Sequence, residues 1–172
     1  NKLWLLIIDM GLFITFTKFP FTKSRASIIE HVCKTDNVDF LIHGISDNFP
    51  YLSNEWERCV GRHNPVKCFK YLCEKKDISI HNTVHEAIYS DNAGILQIAL
   101  DYGFEFPEPR GMSHVNSRYN CYTLLHKTTN REITDWHKYN CIRNKNASLL
   151  KYMMDNTPSD PNDIIICAID NG

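Results

Sequence analysis

The chain has no Cys-x-x-Cys pair, no glycine-rich loop and no unbroken apolar run long enough to cross a bilayer. Each absence removes a class of function. Its seven glycines are isolated, so no loop can wrap backbone N–H groups around a phosphate. Lys and Arg total 19 against 20 for Asp and Glu, and the net charge is −1. A nucleic-acid binder carries a basic face, and a protein drawn to anionic lipid carries basic clusters; neither is present. The seven cysteines are odd in number and their spacing sets up no disulfide framework. Several fall on apolar helix faces, where a thiol behaves as a small hydrophobe. Buried thiols point to a reducing compartment, the cytoplasm or nucleus.

What is present suits a folded, helical chain. Apolar residues make up 43% and charged residues 23% of the 172, the balance of an ordinary globular protein. Leu3 to Phe16 imitates a signal-peptide core, but Asp9 and Gly11 interrupt it and no small-residue cleavage site follows. Residues 3–10 are expected to form the second helix of a partial first unit. The Asn start and the Asp170-Asn171-Gly172 finish in mid-pattern suggest a piece of something longer.

Repetition is the strongest signal. Ser27, Asn54, Asn82, Thr123 and Asp163 each precede a short run with apolar residues at helical spacing, and each can cap a helix. Ile28, Ile29, Val32 and Cys33 follow the first, Trp56, Cys59 and Val60 the second, and Val84, Ala87 and Ile88 the third. Polar turns follow at Asp36-Asn37, His63-Asn64 and Asp91-Asn92, where Asn tolerates the left-handed conformation that ends a helix. More apolar second helices are predicted at Val66–Cys73, Ile95–Leu100 and Leu149–Met154. Two insertions break the period: Phe104–Tyr122, with Pro107, Pro109 and Gly111, and the polar Arg131–Lys145 between two helices of one unit. Phe13–Phe21 is predicted to be an extended loop.

The pattern predicts an all-α fold, an α-solenoid of stacked helix-turn-helix units with two long loop insertions. The chain is one domain of about four and a half helix pairs. Its units are 1–22 (partial), 23–50, 51–78, 79–106, 107–162 with the insertions, and 163–172 (partial).

Thr123-Leu124-Leu125-His126-Lys127-Thr128-Thr129 resembles the Thr-Pro-Leu-His-x-Ala-Ala signature that opens the first helix of an ankyrin repeat. Asn82-Thr83-Val84-His85-Glu86-Ala87-Ile88 is a weaker version, and Asn92 to Gly103 is similar to the family's second helix and closing glycine. Leu149–Asp155 fits likewise, and Asp163–Gly172 resembles the start of another repeat. The similarity covers two units well and fades before residue 54. Units of 27–28 residues depart from the usual length of roughly 33, no first helix has the Pro, and three lack the His. Richness in Asn, Ile, Lys and Tyr is similar to that of ankyrin proteins of large DNA viruses, poxviruses especially, a bias that AT-rich protist genomes also produce.

The resemblance implies a protein-protein interaction module, acting in the host cytoplasm if viral, that holds its partner against inter-repeat turns and first-helix residues. Those positions here are Asn82, Tyr89 and Ser90 in one unit and Tyr122, Asn130 and Arg131 in the next. It also implies that His85 and His126 bind helix start to loop. Residue chemistry adds Trp136, Tyr139 and Arg143 in the second insertion, the side-chain types that anchor interfaces. Trp136 either meets a partner or packs back to hold the loop. His81 with His85, and His137 with Cys141, have helical spacing but supply only pairs where zinc needs four ligands. Cys33 near His31 and Cys59 near His63 are sequence neighbours, which on a helix seldom point at one another productively, and both cysteines occupy expected core positions where thiols are inert. The expectation is therefore no catalysis, no cofactor, no metal, no nucleic acid, no membrane and no small-molecule substrate. A metal-assisted or thiol enzyme and a purely structural solenoid segment are the rival readings.

Overall fold

The computed structural model describes residues 10, 22–44, 53–75, 78–105, 118–129 and 132–157. Among them every regular element is helical and no strand occurs. The helices are α1 (Thr22–Thr35), α2 (Ser53–His63), α3 (Val66–Lys75), α4 (Ile80–Tyr89), α5 (Ala93–Asp101), α6 (Tyr119–Thr129), α7 (Asp135–Arg143) and α8 (Ala147–Asn156). A wide helical turn, Phe40–Gly44, follows α1. None of them is long and apolar enough to cross a membrane. The chain divides into two compact units, Asn1–Ala87 with Gly94–Phe104, and Ile88–Ala93 with Glu105–Gly172.

In the first unit the predicted apolar positions turn inward. Ile28, Ile29, Val32 and Cys33 of α1, Trp56, Cys59 and Val60 of α2, and Cys68, Phe69, Leu72 and Cys73 of α3 are all buried. So are Val84 and Ala87 of α4 and Ile95, Leu96, Ile98 and Ala99 of α5. Each large apolar side chain contributes about 1.5–3 kcal/mol by leaving water. Gly61 lets α2 and α4 touch: a methyl there would come within 2.6 Å of Glu86 Cβ and 2.8 Å of the Ala87 nitrogen.

The turns between paired helices share one conformation. Asp36, Asn64, Asp91 and Lys145 have φ of 49°, 57°, 56° and 55°. Asp36 and Asn64 sit one residue past the end of a first helix and Asp91 and Lys145 two, where a left-handed residue lets the last carbonyls find amides. Asn37 N–H thus reaches the Val32 carbonyl at 3.1 Å, and Asn146 N–H the Cys141 carbonyl at 2.9 Å. The same closure ends α5, where Gly103 at φ 82° brings Phe104 N–H to the Ala99 carbonyl at 3.0 Å.

The turn residue also reaches forward. Asp36 Oδ2 and Oδ1 accept the backbone amides of Lys67 and Cys68 at 3.1 and 3.0 Å, capping α3. Asn64 lies against the start of α5, its Oδ1 2.6 Å from where a methyl on Gly94 would stand. In the second unit Asp91 caps α6 in the same manner, accepting from Asn120 and Cys121 at 3.3 and 3.0 Å. The helix that opens at Tyr119 therefore stands to Asp91 as α3 stands to Asp36.

The second unit packs Cys121, Tyr122 and Leu125 of α6 with Ile133, Cys141 of α7, and Leu149 and Met153 of α8. Cys141 Sγ lies 3.6 Å from Met153 Sδ, and the Tyr122 ring meets His137 edge-on at 5.7 Å. Asn146 caps α8 by accepting the Leu149 amide at 3.1 Å.

The all-α class and the second helices over 66–73, 95–100 and 149–154 agree with expectation. The insertion Arg131–Lys145 does not: residues 135–143 form α7 and pair with α8. Its inward face is His137, Lys138 and Cys141, too polar to show an apolar period. Several caps also differ. Thr123 lies inside α6, Asn82 inside α4 and Ser27 inside α1. The Asp91 carboxylate, distant in sequence, caps α6, and the local Ser79 Oγ caps α4 by accepting the Asn82 amide at 3.3 Å. The helices α3, α5, α6 and α8 begin at 66, 93, 119 and 147, steps of 27, 26 and 28 residues. Tyr119–Thr129, expected as a first helix, falls in this second-helix series. Residues 119–122 of the first insertion are helical as well. The expectations for residues 3–9, Phe13–Phe21 and 163–172 lie outside the described residues.

Candidate functional site

The nine expected partner-facing residues are distributed unevenly. Asn82, in the first unit, is exposed on α4, and its side-chain amide donates to Glu57 Oε2 at 3.0 Å. Glu57 is itself buried and also accepts the Ser79 amide at 3.2 Å, so Asn82 has a structural task at the opening of α4. Tyr89 and Ser90 are exposed in the second unit. Tyr122 is a correction: it is 3% exposed, packed on His137 within the core. The reason is the helix start at Tyr119, which rotates residue 122 to the inward face of α6 alongside Leu125. Asn130 and Arg131 lie outside the described residues.

Helix α7 brings three of the nine onto one face. Trp136, Tyr139 and Arg143 stand at i, i+3 and i+7, which a helix aligns along one side. Trp136 is 49% exposed, Arg143 is exposed and Tyr139 is half-buried. The opposite side is anchored by His137, Lys138 and Cys141. His137 Nδ1 accepts the Thr134 amide at 3.0 Å and fixes the helix start. Lys138 keeps its ammonium 3.1 Å from Asp135, at the surface end of a buried stem. An indole, a phenol and a guanidinium are thus presented on a rigid support.

Sequence reasoning missed a second cluster. The Arg118 guanidinium lies over the Tyr89 ring, 5.2 Å from its centroid. Tyr119, beside it, is 39% exposed and meets Tyr152 edge-on at 6.2 Å. Tyr152 OH lies 2.9 Å from His126 Nδ1. His126 therefore spans α6 and α8 rather than tying a helix start to a loop, as the resemblance implied. Arg118 and Tyr119 were hidden in a segment read as connection. Only the turn geometry at Asp91, which unites residues 89 and 118, identifies them.

Of the six described thiols five are raised in pKa, and only Cys59, 7% exposed in the core, is lowered, by the hydrogen bond it receives from Cys33. Cys33 is held above the ordinary thiol range by its hydrogen bond with Cys59 and by burial. Burial and then the nearby Asp36 carboxylate push Cys68 up, and burial with Asp91 pushes Cys121 up to about 12. Burial alone takes Cys141 to about 12, and burial followed by Glu74 takes Cys73 to about 11. A thiol kept protonated is a poor nucleophile. Among the described residues no three His, Cys, Asp or Glu side chains are grouped so as to hold a metal ion. No family model, no curated protein and no solved structure matches the chain.

Proposed function

We propose that the chain is a non-catalytic protein-recognition module, a solenoid of ankyrin-like helix pairs that binds its partner in part through the outer face of α7. The observation that carries this reading is the α7 face itself. Trp136, nearly half exposed, stands in line with Tyr139 and Arg143 on a helix whose other side is packed. Trp, Tyr and Arg dominate the energetics of protein interfaces, because they bury much area for few rotatable bonds. Three further features support the repeat reading. The second helices recur at 26–28 residues, paired helices share a left-handed turn, and α5 closes on Gly103 as an ankyrin second helix does. The buried thiols suit a reducing compartment, the cytoplasm or nucleus.

The test compares partners captured by the immobilised chain and by its Trp136→Ala and Arg143→Ala variants, each first shown to melt within a degree or two of the original. The expected result is a captured protein whose recovery falls about tenfold with Trp136→Ala. Identical capture by all three chains, or none above a blank surface, counts against the reading.

A further inference from the structure

The Tyr89–Arg118 pair has chemistry that the α7 face lacks. Arg118 is half-buried and stacked on Tyr89, yet its guanidinium makes no hydrogen bond or ion pair with any described residue. Five N–H donors in a fixed fork therefore stand unspent, while the ring beneath satisfies only the flat face of the cation. Such a fork matches an oxygen pair in one plane. The neighbours are flat and open: Tyr89 is 59% and Tyr119 39% exposed. Among the described residues the acid that contacts this turn is Asp91, and its oxygens already receive the Asn120 amide, the Asn120 side chain at 3.0 Å and the Cys121 amide. That carboxylate opposes a doubly charged phosphate more than a singly charged carboxylate, and among the described residues no second cation joins the cluster to compensate.

We propose that Tyr89, Arg118 and Tyr119 form a carboxylate-recognising patch for an acidic segment of a partner protein, with Asp91 as its positioning residue. Asp91 stands two residues after Tyr89, and the amides it clamps begin two residues after Arg118, so one carboxylate sets the spacing of the stack. The Asp36 clamp is an internal control. Its equivalent positions hold Lys34, engaged with Glu30 at 2.6 Å, and the buried Pro65, and no aromatic stack results. The proposal rests on the reading of the chain as a protein binder.

A random-peptide display library panned against the immobilised full chain tests it, followed by affinity measurement with the strongest synthetic peptide. The enriched peptides are expected to share an Asp or Glu at one position. Arg118→Ala should weaken binding about tenfold or more, and changing that peptide acid to its amide should weaken it to the same degree. In the Arg118→Ala chain the amide change should then have no further effect. Asp91→Gly keeps the left-handed turn but lacks the clamp, and should weaken binding; Asp36→Gly should not. Should Asp91→Gly fail to fold, Asp91→Asn, which retains one acceptor, should bind with intermediate strength.

Peptides without a shared acid, or binding untouched by Arg118→Ala, overturn the patch. If those peptides instead require Trp136, protein recognition stands and only this inference falls. Tighter binding of a phosphoserine peptide than of its acidic counterpart overturns the carboxylate assignment. Absence of any enriched peptide counts against both.

Discussion

Asp91 Oδ1 accepts the backbone amide of Cys121 at 3.0 Å, and Asp36 Oδ1 stands to Cys68 in the same relation at the same distance. In both cases a turn residue in one helix pair supplies a cap that a helix some thirty residues later lacks locally. Replacing either acid by Ala removes two acceptors and leaves a non-Gly residue at positive φ. Each change is expected to cost about 1–2 kcal/mol. Gly at the same position retains the turn and loses only the cap, and Asn should recover roughly half the loss. Urea midpoints of the three variants at each site decide this; equal stability of Asn and Ala would refute it.

Gly61→Ala should destabilise the chain even though Ala is the better helix former by about 1 kcal/mol. The added methyl would meet Glu86 Cβ and the Ala87 nitrogen at 2.6 and 2.8 Å, and the backbone atom cannot rotate away. Overpacking of this kind costs about 1–3 kcal/mol, which exceeds the propensity gain at the upper end of that range. A thermal melt lowered by several degrees is the expected result. An unchanged or raised melt would mean that α2 and α4 separate at little cost.

Tyr122 and Tyr89 were grouped by sequence and are separated by structure. Tyr122→Ala should lose about 3–5 kcal/mol, as removal of a buried aromatic does, whereas Tyr89→Ala should stay within about 0.5 kcal/mol. Chemical denaturation measures both. The reverse order would show that α6 is rotated from the orientation described here.

Alkaline pH should weaken the fold. Cys73 is raised to about 11 and Cys121 and Cys141 to about 12, while an unfolded thiol releases its proton near the ordinary value of 9. Their contribution is fully present below about pH 9, because both states are then protonated. It is lost as pH rises towards the folded values, because only the unfolded chain ionises. The urea midpoint at pH 10.5 should lie below that at pH 8, and Cys141→Ala should flatten the fall. Rapid labelling of Cys73, Cys121 or Cys141 in the native chain at pH 8, located by mass spectrometry, would contradict the burial on which this depends.

The apolar spacing after residues 27, 54 and 82 was enough to place α1, α2 and α4 and most of their buried residues, because those helices bury an unbroken stripe. The turns were legible for a related reason: few residues besides Asn, Asp and Gly enter the left-handed region easily. Helix α7 was not legible. Its buried side is a histidine, a lysine and a cysteine, while its tryptophan faces outward, so its hydrophobic pattern inverts the usual rule. The start of α6 was misplaced by five residues, at 124 rather than 119, since Thr123 looked like a cap and the true acceptor, Asp91, lies some thirty residues upstream. The Tyr89–Arg118 stack is invisible to any reading along the chain for the same reason. The α7 anchors could be named from residue type alone, but their common face required knowing that the segment is a helix.

Two adjacent methionines on α8 occupy opposite circumstances. Met153 is sealed against Cys141, and Met154 is 40% exposed. Peroxide converts a thioether to a sulfoxide in proportion to its access to solvent. Met154 should therefore oxidise readily and harmlessly, while Met153 should resist until the second unit opens. The proportion of oxygen carried by each, read by mass spectrometry, gives this protein a built-in chemical record of how often that unit comes apart.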